Sequence, residues 1–182
     1  MTNTIFEFIG GNEGQWKVIS SKAVTGENLA AVSHLKIIPS SLEKSTEYGA
    51  WALKGFRSNI RYTDKTEKEK LNSIQSGLDR PEATCAALIP IRKTAAWWEL
   101  AQDERRKIFE EQSHHTQTGL KYLPAIARRL YHCRDIGESF DFLTWFEYAP
   151  EHAAAFEELL VSLRKTTEWT YVDWEVDIRL RK

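Results

Sequence analysis

The stretch Ile89-Pro90-Ile91-Arg92-Lys93-Thr94-Ala95-Ala96-Trp97-Trp98 joins a predicted strand to a predicted helix, and this junction indicates the fold class. The strand covers residues 84–91, which are rich in apolar side chains. Thr94 belongs to the residue types that cap helix N-termini, and the helical pattern after it runs through Glu111. A strand that leads directly into a helix is the first half of a βα unit.

The alternation of strands and helices continues on both sides of this junction. Further strands are predicted at residues 5–9, 16–20, 32–38, 51–61, 140–148 and 169–180. Helices are predicted from a cap at Thr63 or Asp64 through Ile74, from about residue 115 to residue 130 with a break near Gly119 and Pro124, and from Pro150 onward. The order from Trp51 predicts an α+β fold, a ferredoxin-like tandem βαβ repeat whose antiparallel sheet is covered by helices.

The composition is that of one globular domain spanning residues 1–182. Of the 182 residues, 42% are hydrophobic and 28% are charged, which is ordinary for a chain with one buried core. Residues 51–182 form the predicted core. Residues 1–50 form a short N-terminal strand region that adds an edge hairpin, with a turn at residues 10–14.

Charge and targeting signals narrow the classes of partner and the cellular location. A net charge of −1 gives no footprint for nucleic acid, and no membrane partner is expected. The N-terminus lacks the basic and apolar regions of a signal peptide, so we expect a cytoplasmic protein. Cys85 and Cys133 fit neither a metal-binding spacing nor a disulfide framework, as is usual for reduced cytosolic thiols.

Residues 89–133 also contain the parts of a site for a flat aromatic metallocofactor. Adjacent tryptophans supply planar surfaces, a histidine supplies a soft nitrogen ligand, and an arginine supplies a cation for the open face. His114 and His115 point about 100° apart on a helix, so only one of them can meet a given face of a cofactor. A zinc or non-haem iron site is an alternative that lacks a recognised spacing; its candidate residues are His114, His115, His132, Cys133 and His152.

Arg128 lies in a largely apolar segment, residues 122–131, which we expect to be helical. A guanidinium kept near an apolar surface suits an anion that it must face, whereas Arg129 is better explained as a solvated cation.

These motifs together resemble those of the chlorite dismutase family. The resemblance covers the chain from about Trp51 to the C-terminus, and it includes the run from Arg92 to Trp98 and the sequence Glu-Trp-Thr-Tyr that begins at Glu168. In the family, the proximal haem ligand is a histidine followed 13 residues later by a distal arginine. His115 and Arg128 have this spacing, whereas His114 would need an arginine at Ala127. The fold implied is of the dimeric α+β barrel type.

The resemblance implies a role for each matching residue. His115 would be the metal ligand to the iron of haem b, and Glu168 would accept the other N–H of its imidazole, which fixes the tautomer. Lys93 would neutralise Glu168, and Trp97 would pack against the proximal side of the haem. Trp98 and Tyr62 would donate to a haem propionate. Gln75 would hydrogen-bond Arg128, the catalytic residue.

The implied activity is the conversion of chlorite to chloride and dioxygen, a form of chlorite detoxification. The chain length matches the short lineage of the family, which forms homodimers. One alternative is a coproporphyrin-haem decarboxylase of haem biosynthesis, a branch that usually has glutamine at the position of Arg128. The other alternative is a non-catalytic haem-binding protein, which would have no need of the distal cation.

Overall fold

Eight antiparallel strands close into a barrel in the computed structural model, which describes residues 4–43, 48–57, 65, 66, 69 and 76–182. The strands are β1 (Ile5–Gly11), β2 (Trp16–Thr25), β3 (His34–Ser40), β4 (Trp51–Arg57), β5 (Cys85–Lys93), β6 (Ile126–His132), β7 (Phe142–Tyr148) and β8 (Val172–Arg181). Around the barrel they follow the order β1-β3-β2-β8-β5-β7-β6-β4. The prediction of an antiparallel sheet with helices is confirmed, and the closure of that sheet is an additional finding.

Alternation along the strands separates two apolar cores. Leu88 of β5 and Trp145 of β7 point into the barrel, where they pack with Phe8 and Ile178. Their neighbours in sequence point outward. The outer core contains β5 residues such as Ile89 and covers the half of the barrel formed by β5 to β8.

Helices and short turns connect the strands of this half of the barrel. They are α1 (Ala95–Glu99), α2 (Gln102–Arg106), a π-helix at Lys107–Gln112, α3 (His115–Leu120) and α4 (Ala153–Arg164), together with 3₁₀ turns at Arg134–Ile136, Pro150–His152 and Thr167–Tyr171. Helix α4 buries Phe156, Leu159, Leu160 and Leu163, whose helical spacing places them on one side. None of the helices in the described ranges is long and apolar enough to cross a membrane.

Helix α1 begins as the sequence predicts, because the Thr94 side chain accepts the backbone N–H of Trp97. The single helix predicted through Glu111 is wrong. Helix α1 ends at Glu99, α2 begins at Gln102, and the chain then continues as the π-helix.

The predicted helix at residues 115–130 is also wrong in its second half. Helix α3 ends at Leu120, and residues 126–132 form β6, which pairs with β7 over its whole length. Both faces of β6 carry apolar side chains, Ile126 on one face and Tyr131 on the other. The segment therefore lacks the polar alternation that reveals a strand from sequence, and its pairing with β7 determines its structure.

The N-terminal strands do not form an edge hairpin. Strand β1 pairs with β3 and β4, and β2 pairs with β3 and β8, so the closed barrel incorporates residues 5–40. The turn at residues 10–14 therefore joins two strands that are not hydrogen-bonded neighbours. Within the helix predicted between Thr63 and Ile74, the described residues 65, 66 and 69 are helical; its other residues, together with Tyr62 and Gln75, lie outside the described residues.

Candidate functional site

A buried carboxylate, Glu168, lies at the centre of the candidate site. It accepts a hydrogen bond from Lys93 Nζ at 2.7 Å, and its other oxygen lies 2.7 Å from Nδ1 of His115. Burial raises the pKa of Glu168, but the charges and hydrogen bonds of His115 and Lys93 outweigh burial and lower the pKa to about 2. We call Lys93, Glu168 and His115 the site triad.

His115 begins α3 and presents one ring nitrogen away from the triad. A carboxylate only accepts hydrogen bonds, so Nδ1 carries the proton of this contact, and in a neutral imidazole the lone pair is then on Nε2. No described residue forms a hydrogen bond with Nε2, and the side chain is 16% exposed. The Phe109 ring stacks on the imidazole with centroids 4.3 Å apart and planes 20° apart. His115 is thus oriented by its neighbours and keeps one nitrogen available as a ligand.

His114 differs from His115 in its backbone conformation and in its exposure. It lies before α3 in the left-handed backbone region, with φ of 50°, and it is exposed. The structure therefore brings His115 to Glu168 and leaves His114 at the surface.

Two buried polar residues that sequence reasoning does not single out hold the main chain at Glu168 and next to His115. Ser113 Oγ accepts the backbone N–H of Glu168 at 3.0 Å, and Glu110 accepts the backbone N–H of Thr116 at 2.7 Å in the first turn of α3. Ser113 is a residue type that often caps a helix, which is the one sequence signal at this position. This signal predicts the wrong hydrogen-bond partner, because the serine accepts a backbone N–H from a segment far along the chain.

The Lys93 ammonium also contacts two indole rings. Its Nζ lies 4.5 Å from the Trp97 ring centroid and 5.4 Å from that of Trp169. Trp97 is 1% exposed, and its Nε1 is a buried donor without an acceptor in the described structure. Because a buried donor without a partner is costly, an acceptor beyond the described residues is expected at this atom.

Trp98 lies near the end of α1, next to Asp141. Its indole N–H donates to Asp141 at 3.0 Å, and the Arg134 guanidinium lies 4.2 Å from its ring centroid. The expected donation from Trp98 to a cofactor carboxylate would therefore compete with Asp141.

Arg128 lies on β6, two residues after Ile126, so both side chains lie on the helix-covered face. Burial lowers the pKa of Arg128, and the negative charge of Glu168 acts in the opposite direction. Arg129 points to the other face, where it hydrogen-bonds Tyr131. The strand thus separates the two arginines that adjoin in sequence.

This arrangement offers a single imidazole ligand and a partly buried cation on the same covered face of the sheet. The described residues contain no group of three or more His, Cys, Asp or Glu side chains that could hold a metal ion. A single protein ligand is sufficient when a macrocycle supplies the remaining metal ligands.

Comparisons with known proteins agree on one family. The family model described as chlorite dismutase matches residues 20–180. A chlorite dismutase from Ideonella dechloratans is 33% identical over 141 residues; the match covers 72% of this chain and 47% of that protein, so this chain spans about half the length of that relative. A crystal structure of dimeric chlorite dismutases from Nitrobacter winogradskyi is 60% identical, has a TM-score of 0.91, and covers 97% of this chain and 99% of its own. A mutant chlorite dismutase from Candidatus Nitrospira defluvii, 18% identical with a TM-score of 0.66 and coverage of 100% and 92%, shares the fold.

Proposed function

The chain belongs to the chlorite dismutase family, and we propose that it converts chlorite to chloride and dioxygen with the help of a bound haem b. The site triad is the observation that carries this proposal. A carboxylate fixes one imidazole nitrogen at 2.7 Å and leaves the other available, which is the arrangement that an axial histidine ligand needs.

The residues present fit a haem. His115 would ligate the iron through Nε2, and the buried N–H of Trp97 would donate to a negatively charged group at the haem edge. When bound, the haem supplies the redox-active iron at which the bonds of chlorite are rearranged. Glu168 holds the proton of His115 at Nδ1 and makes the imidazole a stronger electron donor, while Lys93 limits that donation by neutralising the carboxylate.

Trp97 keeps its proposed place on the proximal side of the haem and Trp98 its proposed role as a propionate donor, and the N–H of Trp97 is a further candidate donor. The Trp98 donor already has Asp141 as its acceptor, whereas the Trp97 donor has none among the described residues. Tyr62 remains a proposed second donor to the propionate, and Gln75 remains the proposed partner of Arg128.

Arg128 would attract chlorite and orient it. A guanidinium on a covered face binds a small oxyanion more strongly than one in water, because the surroundings screen its charge less. Arg128 would also retain the negatively charged chlorine-containing fragment until dioxygen forms. The atoms balance, since one chlorite yields one chloride and one dioxygen.

The assembly we propose is a homodimer. The 60% identical structure is described as dimeric and matches 97% of this chain. A twofold dimer is the commonest closed assembly of soluble chains. Light scattering that reports a monomer or a pentamer would contradict it. A cytoplasmic location also remains a prediction.

We interpret the barrel as two ferredoxin-like halves. Around the barrel, one half has the order β8-β5-β7-β6 and the other half has the order β4-β1-β3-β2. In each half the fourth strand therefore lies next to the first, followed by the third and the second. A shared order in both halves supports a tandem repeat, in which the second half carries the helices that cover the site.

An oxygen electrode tests the activity. We expect haem-loaded protein to release one dioxygen and one chloride per chlorite without an added reductant. The Arg128→Ala variant should bind haem but lose activity after fewer turnovers, and methionine, which scavenges hypochlorite, should protect it more than the wild type. Arg129→Ala is the matched control, because that side chain lies on the opposite face of β6. Haem-loaded wild type that releases no dioxygen would reject the proposal.

A further inference from the structure

Asp141 lies at the point where β5 ends and α1 begins, next to the site triad. Its backbone N–H donates to the carbonyl of Ile91 at 2.9 Å, and its side chain accepts the backbone N–H of Lys93 at 2.7 Å. The pairing of β5 with β8 shifts register between Arg92 and Lys93. On the opposite edge of β5, the pairing with β7 ends at Ile91 and Phe142, and the Asp141 carboxylate accepts the next backbone N–H on that edge, that of Lys93.

The same carboxylate holds the far end of α1. Oδ2 accepts both the Lys93 backbone N–H and the Trp98 indole N–H, and Oδ1 lies 3.4 Å from Arg134 Nη1. Arg134 stacks on the Trp98 ring in turn. Asp141 is 4% exposed, so few water molecules compete for these contacts. One buried side chain thus fixes residues 93 and 98, which bracket Trp97.

We propose that Asp141 is a positioning residue for the site triad. It holds the main chain of Lys93 so that Nζ reaches Glu168. The ammonium then sets how strongly Glu168 accepts the hydrogen bond from His115. The inference rests on the proposed function only in taking His115 as the haem ligand. Asp141 itself touches neither the ligand nor the proposed substrate side of the site.

The role predicts a signed effect on the haem. Without an acceptor for its backbone N–H, Lys93 shifts and its ammonium withdraws from Glu168. A carboxylate that is less neutralised accepts the His115 proton more strongly, and the more electron-rich ligand lowers the Fe(III)/Fe(II) potential.

The first test uses haem-free, ¹⁵N-labelled protein, so it does not depend on activity. In Asp141→Ala we expect the Lys93 amide hydrogen to exchange at least about tenfold faster than in wild type, because a charge-assisted hydrogen bond is lost. Asp141→Asn keeps an acceptor oxygen and should restore much of the protection. Asp173→Asn, at an exposed partner of Arg92, is the control and should leave this amide unchanged. Unchanged exchange in Asp141→Ala would overturn the proposal.

The second test compares potentials in haem-loaded protein. Asp141→Ala and Asp141→Asn remove the same charge and differ in whether an acceptor remains, so the alanine variant should have the lower potential. That difference should vanish when Lys93→Met is added to both variants. Equal potentials in the two single variants, or a difference that persists without Lys93, would show that Asp141 does not act through Lys93. Failure of the proposed function would instead appear as wild-type protein that binds no haem or releases no dioxygen.

Discussion

Two neighbouring groups of buried charged side chains in this protein have similar chemistry, but they differ in whether a polar atom is left available for a ligand. The site triad has one carboxylate between an ammonium and an imidazole. The second group, which we call the α4 network, comprises Arg164, Glu175, Asp177, Arg179 and the indole N–H of Trp169. Trp169 follows Glu168 in sequence and donates to Glu175 at 2.8 Å, so the two groups are adjacent.

In the α4 network each carboxylate oxygen accepts from a donor of the protein. Arg164 binds Glu175 at 2.6 and 2.8 Å and Asp177 at 2.9 Å, and Arg179 binds both oxygens of Asp177. The triad differs because its last member keeps Nε2 of His115 without a protein partner in the described structure. A closed group of charges holds α4 to β8, whereas a group with one available atom can bind a ligand.

Replacing His115 should give the largest effect, because it removes the atom that distinguishes the triad. We expect His115→Ala to abolish haem binding or to lower the haem affinity at least about 100-fold. This loss is larger than the one usually seen when a residue that hydrogen-bonds a ligand is replaced. Haem titration followed at the Soret band measures this. His114→Ala is the matched control and should retain most of the haem, since that side chain is exposed. Equal haem occupancy in the two variants would remove His115 from the ligand role.

Replacing Arg164 should break the α4 network and leave the triad intact. Arg164→Met leaves two buried carboxylates without their shared cation, so the free energy of unfolding should fall by about 3–5 kcal/mol. Arg92→Met is the control, because the Arg92–Asp173 pair is about 40% exposed and contributes about 0–1 kcal/mol. Urea denaturation measures both. Similar losses in the two variants would contradict a special role for the buried group.

Glu168→Gln changes the triad without removing the ligand. The amide accepts the His115 N–H less strongly than the carboxylate does, so the haem affinity should fall about 10- to 100-fold and the Fe(III)/Fe(II) potential should rise. Spectroelectrochemistry measures the potential. Glu175→Gln, in the α4 network, should leave it unchanged. A potential that stays constant or falls in Glu168→Gln would exclude Glu168 from the site.

The smallest expected effect is the dependence of stability on pH that comes from the ionisation of a single carboxyl group in the α4 network. Burial raises the pKa of Asp177, but hydrogen bonds and charges of Arg179 and Arg164 outweigh burial and lower it below the ordinary value of 3.8. A lowered folded-state pKa stabilises the protein above the unfolded pKa, and the contribution is lost as the pH falls through the folded-state value. The stability difference between wild type and Asp177→Asn should therefore shrink below about pH 4. A difference that does not narrow in acid denaturation series would contradict this ionisation.

The sequence by itself determined the parts of this protein that depend on neighbouring residues. Thr94 caps α1 because its hydroxyl reaches an amide three residues away, and α4 shows its buried side through helical spacing. The family is also indicated by sequence alone, through the motif around Lys93 and Trp97 and the spacing from His115 to Arg128.

Only the tertiary structure decided how those parts meet. Glu168 lies 53 residues from His115 and 75 from Lys93 in sequence, and Asp141 lies 48 residues from Lys93. Strand β6 also owes its conformation to pairing with β7 rather than to its own pattern. Local rules describe energies between residues close in sequence, whereas these contacts form only when the closed barrel brings distant segments together.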